Sequence, residues 1–267
     1  LAHIKNAVRD LHTLEDLAAG TTVIHRLHPL VKIITTLLYI VLVISFNRYN
    51  LSGLIPFVFY PVILMALAEI PYRPLFYRLL VALPFAFFAG ISNVFFDREV
   101  ALYLGGMAFS YGFIAFVSLL LKTFLTVMAV LILAATTSLS QISCQLARLK
   151  VPNILVMQII MTYRYLGVLI HEAYTMFTAY ILRSPQHKVI KMKDMGSFLG
   201  GLLLRSFDRA DRLYAAMKCR GFGGSFTISD DAVVKRADWF YLLGLTAILL
   251  VLRYVNFSVW LGNSLNI

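Results

Sequence analysis

MAFSYGFIAFVSLLLKTFLTVMAVLILAA, residues Met107 to Ala135, carries a single charged side chain, Lys122. Read as one helix at 1.5 Å per residue, it is about 43 Å long, against a hydrocarbon core of about 30 Å. It must tilt, break or project into water. No soluble core asks for so long an uninterrupted apolar run. The composition agrees: 60% of the 267 residues are hydrophobic and 14% are charged. An ordinary soluble domain is about 45–50% apolar and about 25% charged.

Four further stretches are apolar enough to cross a bilayer. They are Leu30 to Phe46, Leu51 to Ile70, Leu79 to Phe96 with Pro84 inside as an expected kink, and Trp239 to Tyr254. The fold class expected is an all-α integral membrane protein with about five transmembrane helices and a cytoplasmic helical region. Its parts are a cytoplasmic N-terminal segment (1–29), four spans (30–135), a cytoplasmic segment (136–237), and a last span with an outer C-terminus (238–267). The chain starts at Leu1 and not at Met, as expected if the natural start is missing or altered.

The net charge is +11, and on a membrane protein its placement sets topology before it suggests nucleic acid. With the N-terminus inside, Lys5, Arg9, Arg26 and Lys32 are cytoplasmic, as are Arg73 and Arg78 after the second span. Residues 136–237 add fourteen more, so 20 of the 24 basic residues lie inside. Arg48, Arg98 and Arg253 fall near the outer side, together with Trp260 in the C-terminus. The cell membrane, the inner membrane in a cell with two, is the expected location.

The segment 136–237 has its own pattern. Thr136-Thr137-Ser138 offers helix-cap oxygens, and a short amphipathic helix follows from about Leu139 to Leu149. Val151-Pro152-Asn153 breaks the chain and opens a helix over about 153–183. Residues 184–193 are a polar turn, and a further helix covers about 194–220. On it Phe207, Ala210, Tyr214 and Met217 share one side, and Arg205, Asp208, Arg209 and Arg212 the other. Gly221 suits a left-handed cap, and Gly223-Gly224 prevents continuation. Glu172, Met176, Ala179 and Arg183 lie on one face of the earlier helix, which ends at Leu182-Arg183-Ser184. The later helix ends at Cys219-Arg220-Gly221. Arginine there complements the helix dipole, and it also suits bidentate pairing with a partner's carboxylate.

Catalytic motifs are missing from the sequence. It contains no GxxxxGK[ST], HExxH, CxxC or G-x-S-x-G. His25 and His28 are three apart, but Pro29 follows and no carboxylate or cysteine completes a metal set, so they read as interfacial residues. Cys144 and Cys219 are expected to pack, not to pair. Lys122 is expected to be a structural partner or to snorkel. A membrane-embedded enzyme would need clustered acids or histidines at one depth, and Asp97 with Glu99 in an outer loop is a poor substitute. For the permease of a conventional ABC importer, Glu172-Ala173 lacks the expected downstream glycine.

Taken in order, the motifs resemble the T component of energy-coupling factor (ECF) transporters. His28-Pro29-Leu30-Val31-Lys32 looks like the family's x-P-x-x-K opening. Thr136-Thr137-Ser138 with Leu149-Lys150-Val151-Pro152 resembles its TT…l-x-V-P run, and Arg164-Tyr165 with Glu172 its R-[YF]…E helix. Phe207 to Asp211, through Ala216-Met217-Lys218-Cys219-Arg220-Gly221-Phe222, resembles the second Ala-Arg-Gly motif and its lead-in. That motif has Cys219 for Ala; the first retains only Arg183, with Leu182 for Ala and Ser184 for Gly. The resemblance implies a non-catalytic coupling subunit. Arg183, Ser184, Arg220 and Gly221 would contact two ATPase subunits, a homo- or heterodimer, supported by Glu172, Asp208, Arg209 and Arg212. ATP and Mg would be bound by those partners, with no cofactor or metal in this chain. The substrate would sit on a separate membrane S component. The N-terminal extension with His28-Pro29 resembles the CbiQ branch, which implies cobalt or nickel and a CbiM-like S component, with a vitamin importer as the alternative.

Overall fold

The computed structural model describes residues 17–49, 51–96, 100–104, 107–184, 189–223 and 234–254. The expected N-terminal segment up to residue 16, the Asp97–Glu99 loop, part of the 184–193 turn, Gly224 and the C-terminus with Trp260 lie outside these residues. The chain divides into two compact units. One holds Leu14–Ser138 and Ala232–Ile267; the other holds Leu139–Asp231 with Leu1–Thr13.

The first, membrane unit contains α1 (Val23–Arg26), α2 (Pro29–Ile44), a 3-10 helix (Ser52–Val58), α3 (Phe59–Ala68) and α4 (Tyr72–Phe96). An antiparallel hairpin of β1 (Val100–Leu104) and β2 (Met107–Ser110) precedes α5 (Tyr111–Thr136), and α9 (Arg236–Tyr254) closes the unit. The second unit contains α6 (Leu139–Arg148), α7 (Asn153–Arg183) and α8 (Met192–Cys219). The chain is therefore an all-α membrane protein with one short hairpin among its described residues.

The core of the membrane unit is built on α5. Leu125, Ala129, Ile132 and Thr136 are buried at spacings of four, three and four, one stripe of a helix. Small residues on that stripe let helices approach closely, as membrane packing favours. The same holds on α4, where a Cβ on Gly90 would lie 2.7 Å from the Phe116 ring. Tyr39, Phe46, Leu54 and Leu249, all buried, belong to the same core. Tyr39 stacks on Tyr60 with ring centroids 4.1 Å apart, and its hydroxyl donates to the Phe57 carbonyl at 2.9 Å. The hydroxyls of Thr35, Thr36, Thr126 and Thr136 donate to carbonyls three or four residues back. Such back-bonding satisfies polar groups where lipid offers none. Phe76, Phe85, Phe88 and Phe95 on α4 are exposed, as a lipid-facing surface requires.

Several expected boundaries move. The fourth span does not begin at Met107, because Met107–Ser110 form β2. Ser110 instead caps α5, its Oγ accepting from the Phe113 amide at 3.3 Å. A short apolar run fits a strand as well as a helix, so hydropathy cannot separate the two. The second span divides into the 3-10 helix, with Pro56 inside it, and α3, because Pro61 has no N–H to donate to the Phe57 carbonyl and carry the α-helix further back. Counting 2.0 Å per 3-10 residue and 1.5 Å per α residue, the two still reach about 29 Å. α4 starts at Tyr72, ahead of the expected Leu79, and runs on through Pro84. The Thr136 hydroxyl does not cap α6; it turns back to the Ile132 carbonyl. α4, α5, α7 and α9 contain stretches long and apolar enough to cross a membrane; α2 and Ser52–Ala68 are shorter apolar helices.

Candidate functional site

The second unit carries the arginine helix ends, and its local geometry follows from three chain breaks. At the end of α6, Lys150 adopts a left-handed φ of 64°. The Val151 amide donates to the Leu146 carbonyl and the Lys150 amide to the Ala147 carbonyl, both at 3.2 Å. This is a Schellman turn, with lysine where glycine is usual. Pro152 then caps α7, its carbonyl accepting from the Leu155 amide at 2.9 Å.

The same turn ends α8, now with glycine. Gly221 has φ 83°, and its amide donates to the Lys218 carbonyl at 3.0 Å. The Phe222 amide donates to the Met217 carbonyl at 3.0 Å. Arg220 is thereby held as the C-cap residue, with its backbone fixed on both sides. Arg183 is the last residue of α7, but no left-handed glycine follows it; Ser184 is the C-cap with φ −129°. Both arginines are exposed.

α7 and α8 meet in antiparallel order. Near the turn the Tyr180 hydroxyl donates to Asp194 Oδ2 at 2.7 Å. Next, a Cβ on Gly201 would lie 3.2 Å from Met176 Cε. Further along, Glu172 pairs with Arg205 at 2.5 Å and with Arg209 at 3.6 Å. At the far end Met161, Arg164 and Tyr165 of α7 line a pocket of about 320 Å³ with Leu213, Met217 and the Arg220–Phe222 turn. Arg183 and Arg220 therefore stand at opposite ends of the pair. The length of α8 puts about 40 Å between those ends.

The structure brings together Glu172 and Arg209, and Arg164 and Arg220. Arg205, which sequence reading placed on the polar side with no partner, makes the shorter bond to Glu172. Asp208 and Arg212 are exposed on α8, away from that pairing. Of the apolar side of α8, only Met217 lines the pocket with α7; Phe207 and Tyr214 are 60% and 54% exposed. Cys219 is an exposed thiol, contrary to the expectation that it packs, because the end of α8 projects it outward; Cys144 is half-buried, and neither is in a disulfide.

In the membrane unit, Lys122 Nζ donates to the Phe46 carbonyl at 2.6 Å, just past the end of α2. Arg253 donates to the Ser45 carbonyl at 3.3 Å and covers the Phe46 ring. Two cations thus serve the negative end of the α2 dipole, the structural role expected of Lys122. His25 is tied by both ring nitrogens, to Thr22 Oγ1 at 2.7 Å and to the Leu17 carbonyl at 3.0 Å. Among the described residues no group of His, Cys, Asp or Glu is arranged to hold a metal.

A family model described as CbiQ, cobalt transport protein, matches residues 20–229. The chain belongs to the CbiQ family. This CbiQ-family chain is 24% identical over 271 aligned positions to a Clostridium kluyveri protein named energy-coupling factor transporter transmembrane protein EcfT, covering 96% of the chain and 99% of that protein. The protein of that name in Ruminiclostridium cellulolyticum is 24% identical, covering 82% and 86%. The nickel permease LarQ of Lactiplantibacillus plantarum is 29% identical over 125 residues, covering 47% of the chain and 44% of that protein. As a CbiQ-family member with several apolar helices, the chain is a multi-pass membrane component of a transporter.

Proposed function

We propose that this chain is the coupling subunit of an ATP-driven importer of the energy-coupling factor type. It performs no chemistry itself. Two ATPase subunits bind and hydrolyse ATP with Mg, and a separate membrane subunit holds the substrate. One observation carries this reading: Arg183 and Arg220 end two fastened antiparallel helices at opposite ends of the pair. Two docking points about 40 Å apart suit two subunits of a dimer better than one. Ser184 and Gly221 set the backbone at each point, and the pocket lined by Arg164 and Arg220 suits a partner carboxylate. Glu172 with Arg205 and Arg209 ties the two helices so that they transmit a push. Asp208 and Arg212, both exposed, are left for the partner's surface.

We assign α7 to the cytoplasmic side although it is long and apolar enough to span. It is fastened to α8, which carries Lys193, Asp194, Arg205, Asp208, Arg209, Asp211, Arg212 and Lys218 and is too charged for hydrocarbon. The transported substrate we propose is a transition-metal cation, cobalt or nickel, on a CbiM-like subunit. The name of the matched family and that of the nickel permease support it. A vitamin importer is the second reading: the relatives named EcfT cover far more of the chain than the permease does, and their name specifies no metal. Purification of the tagged chain with its neighbouring gene products tests both. Two ATPase copies and a small membrane subunit should come down with it, and radioactive cobalt or nickel uptake into vesicles identifies the metal importer. A purified chain that brings down no ATPase refutes the coupling reading. A co-purified subunit that retains a vitamin and no metal selects the second.

A further inference from the structure

The membrane unit holds a buried polar cluster that the coupling helices do not use. Lys32, 4% exposed near the start of α2, donates through Nζ to the Thr136 carbonyl at 2.7 Å and toward the His25 carbonyl at 3.4 Å. Asp238, also 4% exposed, lies in the first turn of α9. Its Oδ1 accepts from the His28 amide at 3.0 Å, and its Oδ2 accepts from the Lys235 amide at 2.7 Å. The Lys235 bond is half of a capping box and starts α9. Asp238 is also among the charges that act on Lys32. The cavity beside Lys32, Thr35, Thr36, Tyr60 and Tyr241 is about 10 Å³, room for one water and not for a substrate.

The place of the cluster in the chain gives it meaning. Thr136 is the last residue of α5, and the chain leaves this unit after Ser138. It returns at Ala232 and reaches Asp238 as α9 begins. The exit and the return of the coupling segment are therefore both fastened to residues 25–32, at the start of α2. At the other end of α2, Lys122 of α5 and Arg253 of α9 hold the Phe46 and Ser45 carbonyls. We propose that Lys32 and Asp238 form a clasp that stays closed through the transport cycle, so that α2, α5 and α9 move as one body when the coupling segment is pushed. Opening it would take the Thr136 acceptor from the buried Lys32 ammonium and the His28 donor from the buried Asp238 carboxylate, which is unfavourable. Lys32 and Asp238 are positioning residues: they join the two points at which force enters the membrane unit. The proposal rests on the coupling reading above.

The test uses the assembled complex in vesicles, with Lys32→Met, Asp238→Ala and, as control, Arg220→Glu. Both clasp variants should keep the ATPase subunits and their hydrolysis while uptake falls about tenfold, within the usual range of coupling energies. Lys32→Arg should recover part of that loss. Uptake at the wild-type level in both clasp variants overturns the clasp. If Arg220→Glu keeps the ATPase subunits, the coupling reading itself fails, whatever the clasp variants do. A second arm does not depend on those variants folding. Cysteines are introduced at 27 and 237, beside His28 and Asp238 and leaving both in place, with Cys144 and Cys219 replaced by serine, and are joined by a short thiol cross-linker. Uptake should be unchanged after cross-linking. A loss on cross-linking, with uptake intact in the unlinked double variant, shows that the clasp must open and overturns the proposal.

Discussion

Arg220 and Gly221 work as one device at the residue scale. Glycine takes the left-handed turn, and the turn aims the arginine. Gly221→Ala pays about 1–2 kcal/mol for a left-handed alanine, so it should loosen the helix end and weaken ATPase retention modestly. Arg220→Glu should do far more. An unpaired buried partner charge costs roughly 3–5 kcal/mol, and like-charge repulsion adds to it. Arg220→Lys should fall between, because a point charge cannot reproduce a planar fork. Arg183→Glu should be milder than Arg220→Glu, since Ser184 gives no left-handed stop behind it. The measurement is ATPase-subunit retention on the purified chain, with expression and monodispersity as controls; wild-type retention in Arg220→Glu would leave only a positive helix end. Lys122 obeys a different logic. Lys122→Leu strips the Phe46 carbonyl of its donor, at about 1–3 kcal/mol, so folded yield should drop more than specific activity. Lys122→Arg should keep both. Normal yield with abolished uptake would place Lys122 in the transport step.

The pairing of α7 with α8 governs the element scale. Gly201 lets the helices close on Met176, and a Cβ there sits only 3.2 Å from the flexible end of that side chain. Gly201→Ala should therefore be tolerated, while Gly201→Phe should spread the pair and reduce uptake without removing the ATPase subunits. Paired spin labels at the exposed positions 166 and 204 would read the separation; an unchanged distance in Gly201→Phe would show that the glycine does not set it. The limits of these helices were legible in the sequence because Pro152 and Gly221 mark them chemically. Their partner faces were not. Arg205 meets Glu172 across 33 residues, and helical periodicity only grouped Arg205 with the other charges of its own helix. The clasp is less legible still, since Lys32 and Asp238 find their partners 104 and 210 residues away. Met107–Ser110 failed for another reason: apolar content identifies burial in lipid, and only backbone pairing distinguishes a strand from the start of a helix.

The whole molecule turns on whether α7 crosses the membrane, and the charge pattern bears on that directly. Ahead of α7 lie α2, the Ser52–Ala68 pair, α4 and α5. Four crossings return the chain to the side of its N-terminus. If α7 then crossed, ten basic residues between 185 and 237 would sit outside, against the usual cytoplasmic excess. α8 could not bring them back, because its own charges bar it from hydrocarbon. If α7 stays on the cytoplasmic side, the same residues face the ATPase subunits, and α9 carries the chain out once. Cysteines introduced at 103 and 190, in a background with Cys144 and Cys219 replaced by serine, separate the two arrangements. An impermeant thiol reagent added to intact cells should label 103, beyond α4, and should label 190 only after the membrane is opened. Labelling of 190 in intact cells would make α7 a span. It would also place the Arg183 helix end on the wrong side for ATP-driven coupling.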